Sequence, residues 1–131
     1  MTSILLALFF FGASALHVAW AFGWTWGLAA ALPQRSDGTA IAPGRAATLA
    51  VAAALSLAGV LVTLHTDNPG SLSGLLLRGV SLLFLARAVG EFRQVGFFKR
   101  IRGTRFATFD TWLFSPLCVA VAAGLWTLAR R

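Results

Sequence analysis

Apolar positions along the chain fall into four long runs separated by short polar stretches. Each run is close to the ~20 residues that cross ~30 Å of hydrocarbon as a helix. The pattern predicts helices over about 3–26, 46–64, 73–92 and 110–129, with a basic interfacial loop over 93–109. Turn-forming residues fall where this reading needs them, at Pro33 to Gly38 and at His65 to Gly70. The expected fold is all-α: a single transmembrane domain over 1–131, arranged as an up-down four-helix bundle. Apolar sequence in the first run continues to Leu32. As one helix that stretch would reach roughly 45 Å at 1.5 Å per residue, so it must tilt, project or break. Gly23 and Gly27 are the weak points, and Trp20, Trp24 and Trp26 suit an aromatic belt at the interface. The second run is rich in alanine and carries Ser56 and Gly59, which favours close contact between helices in lipid.

Composition excludes the soluble alternative. Of 131 residues, 58% are hydrophobic and 11% charged, too few polar groups to cover a water-facing surface. The mean hydropathy is +0.79. A net charge of +7 would suit nucleic acid if it were clustered on a polar domain. Here the basic residues flank apolar runs, which is a topology signal, and no nucleic-acid partner is expected. The start, Met1 to Ala15, lacks the basic segment of a signal peptide despite the cleavage-like Ala13-Ser14-Ala15, so a retained helix is expected. Cys118 is the sole cysteine, which rules out an internal disulfide or a Cys-x-x-Cys redox pair.

The first and third loops hold Arg35, Arg45, Arg93, Lys99, Arg100, Arg102 and Arg105, whereas the opposite side has Arg130 and Arg131, with Arg78 near its boundary. The positive-inside rule therefore predicts a multi-pass protein of the inner (plasma) membrane, with loops 33–45 and 93–109 cytoplasmic and both termini outside. Loop 93–109 interleaves phenylalanines with Lys99, Arg100, Arg102 and Arg105. These four are candidate contacts for anionic lipid headgroups, each contributing roughly 1 kcal/mol near an anionic leaflet. A plain topological anchor is the alternative.

Helix direction brings scattered polar residues to one depth. His17, Trp20 and Trp24 are spaced by three and four on the first helix and share a face. Arg87 and Glu91 are spaced by four on the third, and Asp110 opens the fourth. Arginine before glutamate is the weaker order for a helical pair, and a helix C-terminus disfavours the negative charge of Glu91. Glu91 is therefore expected to have a partner on another helix, with His17 and Trp20 the nearest by depth. Charges within spans cost roughly 2.5–3.5 kcal/mol each at the centre and are functional candidates, although a structural ion pair remains open. Asp110 followed by Thr111 suits a helix N-cap. His17 suits an interhelical hydrogen bond, a ligand contact or proton transfer. It has no second ligand within reach, because His65 falls on the opposite side, and no metal or cofactor is expected.

These segments resemble a bacterial family of small four-helix membrane proteins known only as a domain of unknown function. The likeness rests on His17-Val-Ala-Trp20-Ala-Phe-Gly23-Trp24-Thr-Trp26-Gly27 with Leu32-Pro33, then Arg87-Ala-Val-Gly90-Glu91-Phe92-Arg93 with Gly96-Phe97-Phe98-Lys99. It continues through Thr104-Arg-Phe106-Ala-Thr-Phe-Asp110-Thr111 and Ser115-Pro116-Leu117-Cys118. The position of Glu91 more often holds aspartate in that family. The resemblance implies a four-helix fold with the polar residues in one site, and it implies no activity. A looser, fold-level likeness links the chain to small four-helix membrane families that bind quinones or sterol-like lipids.

Three functions follow as expectations. The first is a protein that binds a lipid-like or small hydrophobic ligand through His17, Trp20, Trp24, Arg87, Glu91 and Asp110. Glu91 and His17 would be its acid–base pair, and whether it is an enzyme is left open. The second is a small transporter or channel lined by Arg87 and Glu91. That reading needs a homo-oligomer, for which Gly23 and Gly27 offer a Gly-x-x-x-Gly contact. The third is an accessory subunit holding anionic lipid or a partner through its basic loop. No nucleotide-binding, zinc or nucleophile-elbow motif occurs.

Overall fold

The computed structural model describes residues 1–131 and contains four helical spans long and apolar enough to cross a membrane. In order these are α1 (Thr2–Ala21), α3 (Arg45–Asp67), α4 (Ser71–Val89) and a composite fourth span. A short α2 (Leu28–Ala31) follows α1. The fourth span joins α5 (Arg105–Phe109), a π-helical turn (Asp110–Phe114) and α6 (Ser115–Leu128).

Two tight helix pairs make the bundle, and small polar residues set both contacts. Between α1 and α3, Ser14 Oγ donates to the Ala52 carbonyl at 2.7 Å and lies 2.8 Å from Ser56 Oγ. Gly59 leaves room for Phe11, whose ring would lie 2.9 Å from an added Cβ. Between α4 and α6, Ser81 Oγ donates to the Ala122 carbonyl at 2.8 Å. Such interhelical bonds contribute about 0.6 kcal/mol each, so close packing must supply most of the adhesion. The pairs join through buried Leu6, Phe10, Val62, Leu77, Val121 and Leu125. Phe84 of α4 meets Phe9 and Phe10 of α1 edge-on, with centroids 6.0 and 5.6 Å apart.

Three boundaries differ from the sequence expectation. The first helix stops at Ala21 rather than near residue 26, because Gly23 (φ +99°) and Gly27 (φ +72°) both take left-handed backbone. Trp20 Nε1 donates to the Trp26 carbonyl at 2.9 Å and folds residues 22–27 back over the helix end. Gly23 and Gly27 thus lie outside any helix, which removes the Gly-x-x-x-Gly contact expected for an oligomer. The third span ends at Val89, before Glu91. The fourth begins at Arg105, five residues before Asp110, capped by Thr104, whose hydroxyl accepts from the Ala107 amide at 3.1 Å.

The π turn has a local cause. Pro116 lacks an amide proton and its ring crowds the carbonyl four residues back. The chain widens just before it, and the Ser115 amide donates to the Asp110 carbonyl five residues earlier. This turn rotates Asp110 into the protein.

Candidate functional site

Asp110 is fully buried and is the hub of a polar knot. Its Oδ1 accepts from Arg87 Nη2 at 2.7 Å. Its Oδ2 accepts from the Gly96 amide at 2.7 Å and from Lys99 Nζ at 3.1 Å. Lys99 is only 2% exposed, and its ammonium also donates to the Gly96 carbonyl at 2.9 Å and to Thr111 Oγ1 at 2.6 Å. All three of its protons are therefore engaged. Two cations and one carboxylate leave the knot with one excess positive charge. Arg87 keeps that charge partly wet, with its side chain 35% exposed, while its Nη1 is buried without a partner.

A tight loop delivers Gly96 to this carboxylate. Gly90 (φ +87°) and Gly96 (φ +88°) cross with their backbones in contact. A Cβ on Gly90 would collide with the Val95 carbonyl, and one on Gly96 with the Val89 carbonyl. The Phe97 amide donates to the Ala88 carbonyl at 2.8 Å and locks the crossing to α4.

Several expected roles change here. Glu91 has no partner from another helix and no ion pair with Arg87; it is exposed. Its carboxylate accepts from the amides of Gln94 and Val95 within its own loop. The reason is that α4 ends at Val89, so the four-residue spacing from Arg87 no longer places Glu91 on the same helical face. Asp110 is not an N-cap, because Thr104 takes that role and the π turn turns the carboxylate inward. Lys99 does not face the lipid headgroups, because its ammonium is drawn into the Asp110 knot. Arg100, Arg102 and Arg105 stay exposed. Arg102 donates to the carbonyls of Lys99 and Phe97, at 3.2 and 3.3 Å, and Arg105 lies 6.0 Å from the Phe109 ring centroid.

His17 and Trp20 lie at the same end of the bundle but in a different place. Their rings are 5.0 Å apart, and they line a cavity of about 250 Å³ between α1, α2 and the start of α3. Leu28, Leu32, Pro33, Thr48 and Val51 contribute to its wall. Neither Arg87, Glu91 nor Asp110 lines it, and no hydrogen bond or ion pair links it to the knot. Trp24 also lies outside it, exposed and stacked on Trp26 at 5.9 Å. The six residues expected in one site are therefore divided among a buried knot, a cavity and two exposed positions.

The chemistry of the cavity is specific. His17 Nδ1 lies 2.8 Å from the Ala13 carbonyl, which can only accept, so Nδ1 carries a proton. Nε2 bonds to no protein group, and in the neutral ring it is a free acceptor. Trp20 Nε1 is spent on Trp26. No charged residue lines the cavity. Val51 also lines an apolar groove of about 420 Å³ between α3 and α4, whose wall includes Phe10, Leu55, Leu83 and Phe84. A mostly apolar chamber at the bundle end, with His17 and Thr48 as its polar groups, thus adjoins an apolar groove along the span.

Lys99 and Gly96 are partners of Asp110 that the sequence did not pair with it. The available signal was the pair Gly90 and Gly96 around Glu91, which marks a tight backbone crossing. Thr48 and Val51 carried no signal, because both look like ordinary residues of an apolar helix.

No curated protein and no solved structure matches the chain. A family model described as "Protein of unknown function (DUF3995)" matches residues 10–125, nearly the whole of the bundle just described from α1 to α6. The chain is an integral membrane protein of unassigned activity and belongs to that family.

Proposed function

We propose that the protein binds an uncharged amphiphile, with a hydroxyl-bearing head in the His17 chamber and an apolar tail along the α3–α4 groove. The observation that carries this reading is the junction at Val51, which lines both spaces. A hydroxyl donating to His17 Nε2 would satisfy a free side-chain acceptor of the chamber, and Thr48 stands on the facing helix. The lack of charge in the lining argues against an anionic head, because an ion there would be desolvated without a counter-charge. The Asp110 knot is the scaffold in this reading. It fixes the loop over 90–104, and the Phe106 amide of the following α5 donates to Gln34 Oε1 at 3.4 Å, beside the chamber wall at Pro33. Exposed Arg100, Arg102 and Arg105 would rest on the anionic lipid of the cytoplasmic leaflet of a bacterial inner membrane, as the concentration of basic residues in loops 33–45 and 93–109 supports.

Native mass spectrometry with dioctanoylglycerol as probe tests the reading. Wild type should retain the probe. His17→Leu should retain it about five- to tenfold less, the worth of one hydrogen bond of about 1 kcal/mol. Val51→Trp, which fills the junction, should exclude it. Equal retention by wild type and both variants would sink the proposal.

A further inference from the structure

At the end of the bundle opposite the Asp110 knot, a cavity of about 330 Å³ lies between the α3–α4 turn and the end of α6. Its charged side chains are all basic: Arg78, Arg130 and Arg131. None of the three forms an ion pair, since both ion pairs of the protein belong to Asp110. Asp67 ends the neighbouring helix but faces a separate groove with Ser3 and Phe11. Arg78 is held in place, with Nη2 donating to the Ala129 carbonyl at 3.4 Å and its guanidinium carbon 5.9 Å from the Trp126 ring centroid.

Two further features converge on this cavity. The 19-residue α4 begins here, and the amides of Ser71, Leu72 and Ser73 donate to no backbone carbonyl. Free amides and the helix dipole both favour an anion at such an end. Independently, His65 lines the cavity at 2% exposure, and its Nε2 is buried with no hydrogen-bond partner. Its Nδ1 lies 2.6 Å from Ser73 Oγ. Gly74 keeps this floor shallow: a Cβ there would stand 3.1 Å from the Ala129 carbonyl oxygen and 3.5 Å from His65 Cε1.

We propose that this cavity binds a phosphate-type oxyanion. The guanidinium groups supply paired donors matched to phosphate oxygens, and the first-turn amides of α4 add weaker ones. Ser73 Oγ lies 3.0 Å from the Gly70 carbonyl and 2.6 Å from His65 Nδ1; when its single proton turns from the carbonyl to Nδ1, His65 carries its own proton on Nε2 and completes the set. An oxyanion seated there gives the otherwise unpaired Nε2 an acceptor. Phosphate in this setting is either a free ion or the head of a phospholipid, since the cavity opens at the level where the spans end.

The full chain in detergent, titrated by calorimetry with inorganic phosphate and separately with dioctanoyl phosphatidic acid, tests this. At least one probe should saturate with wild type. Saturation by inorganic phosphate identifies a soluble oxyanion, and saturation by phosphatidic acid alone identifies a lipid headgroup. Arg130→Ala/Arg131→Ala, two exposed positions whose loss leaves the bundle intact, should weaken binding at least about tenfold. Arg35→Ala/Arg93→Ala, two exposed positions at the other end, should stay within about twofold of wild type, as expected for charges beyond screening distance. Failure of both probes to saturate, or equal binding by the Arg130/Arg131 variant and wild type, would overturn the proposal.

Discussion

Asp110 carries more structural consequence than any other side chain in the protein. It holds Arg87 of α4, Lys99 of loop 93–109 and the Gly96 amide in a single carboxylate. A buried ionic cluster gains little over apolar packing when intact, yet removing one member leaves the others as uncompensated charge. Asp110→Asn should therefore destabilise the protein by about 3–5 kcal/mol, read as a lower detergent unfolding midpoint. Lys99→Met should be milder than Asp110→Asn, because Arg87 still balances the carboxylate and one desolvated ion disappears. A reversed ranking of the two would contradict the assignment of Asp110 as hub. Glu91→Gln should change stability by less than about 1 kcal/mol, since its carboxylate serves only two exposed loop amides. Charge type alone pointed to Arg87, Glu91 and Asp110 equally. What separates them is burial, and burial depended on a helix ending two residues before Glu91.

The elements are governed by glycine and proline at a few positions. Hydropathy located all four spans, because a run of apolar residues in lipid has no alternative to helix: its backbone must satisfy itself. Where a span stops is decided by backbone conformations that hydropathy does not report. Gly90 illustrates the point. Its left-handed φ ends α4, and its contact with Gly96 aims an amide at Asp110. Gly90→Ala should cost about 1–3 kcal/mol from the positive-φ extended backbone (φ +87°, ψ −179°) alone, with the collision at Val95 added. Gly12 sits within α1 with open space around it, so Gly12→Ala should be neutral or stabilising by up to about 1 kcal/mol. Parallel unfolding measurements on the two variants check the contrast, and similar effects would remove the crossing loop from the account. Pro116 was legible as a disturbance near a helix start, but its product, a π turn that rotates Asp110 inward, required the packed fourth span.

At the scale of the whole molecule, two helix pairs carry different polar equipment. The α1–α3 pair holds the His17 chamber, the α4–α6 pair holds the Asp110 knot, and the Gln34–Phe106 contact ties their loop ends together. The proposed orientation can be checked in intact cells, because Ser36 and Asn68 are exposed on opposite ends and Cys118 is buried. A membrane-impermeant maleimide should label Asn68→Cys directly and Ser36→Cys only after permeabilisation; the reverse pattern would invert the topology. The sequence by itself determined the class of the protein, the number of its spans and the end of the bundle at which most polar residues gather. These follow from transfer free energy and chain direction, which are properties of composition and order. Only the tertiary structure decided that these residues form two separate sites, that Lys99 turns inward and Glu91 outward, and that His65 faces a basic cavity. Those outcomes depend on where each helix ends and how the chain turns there, set by glycine crossings and a π turn, and that local geometry decides which side chains meet.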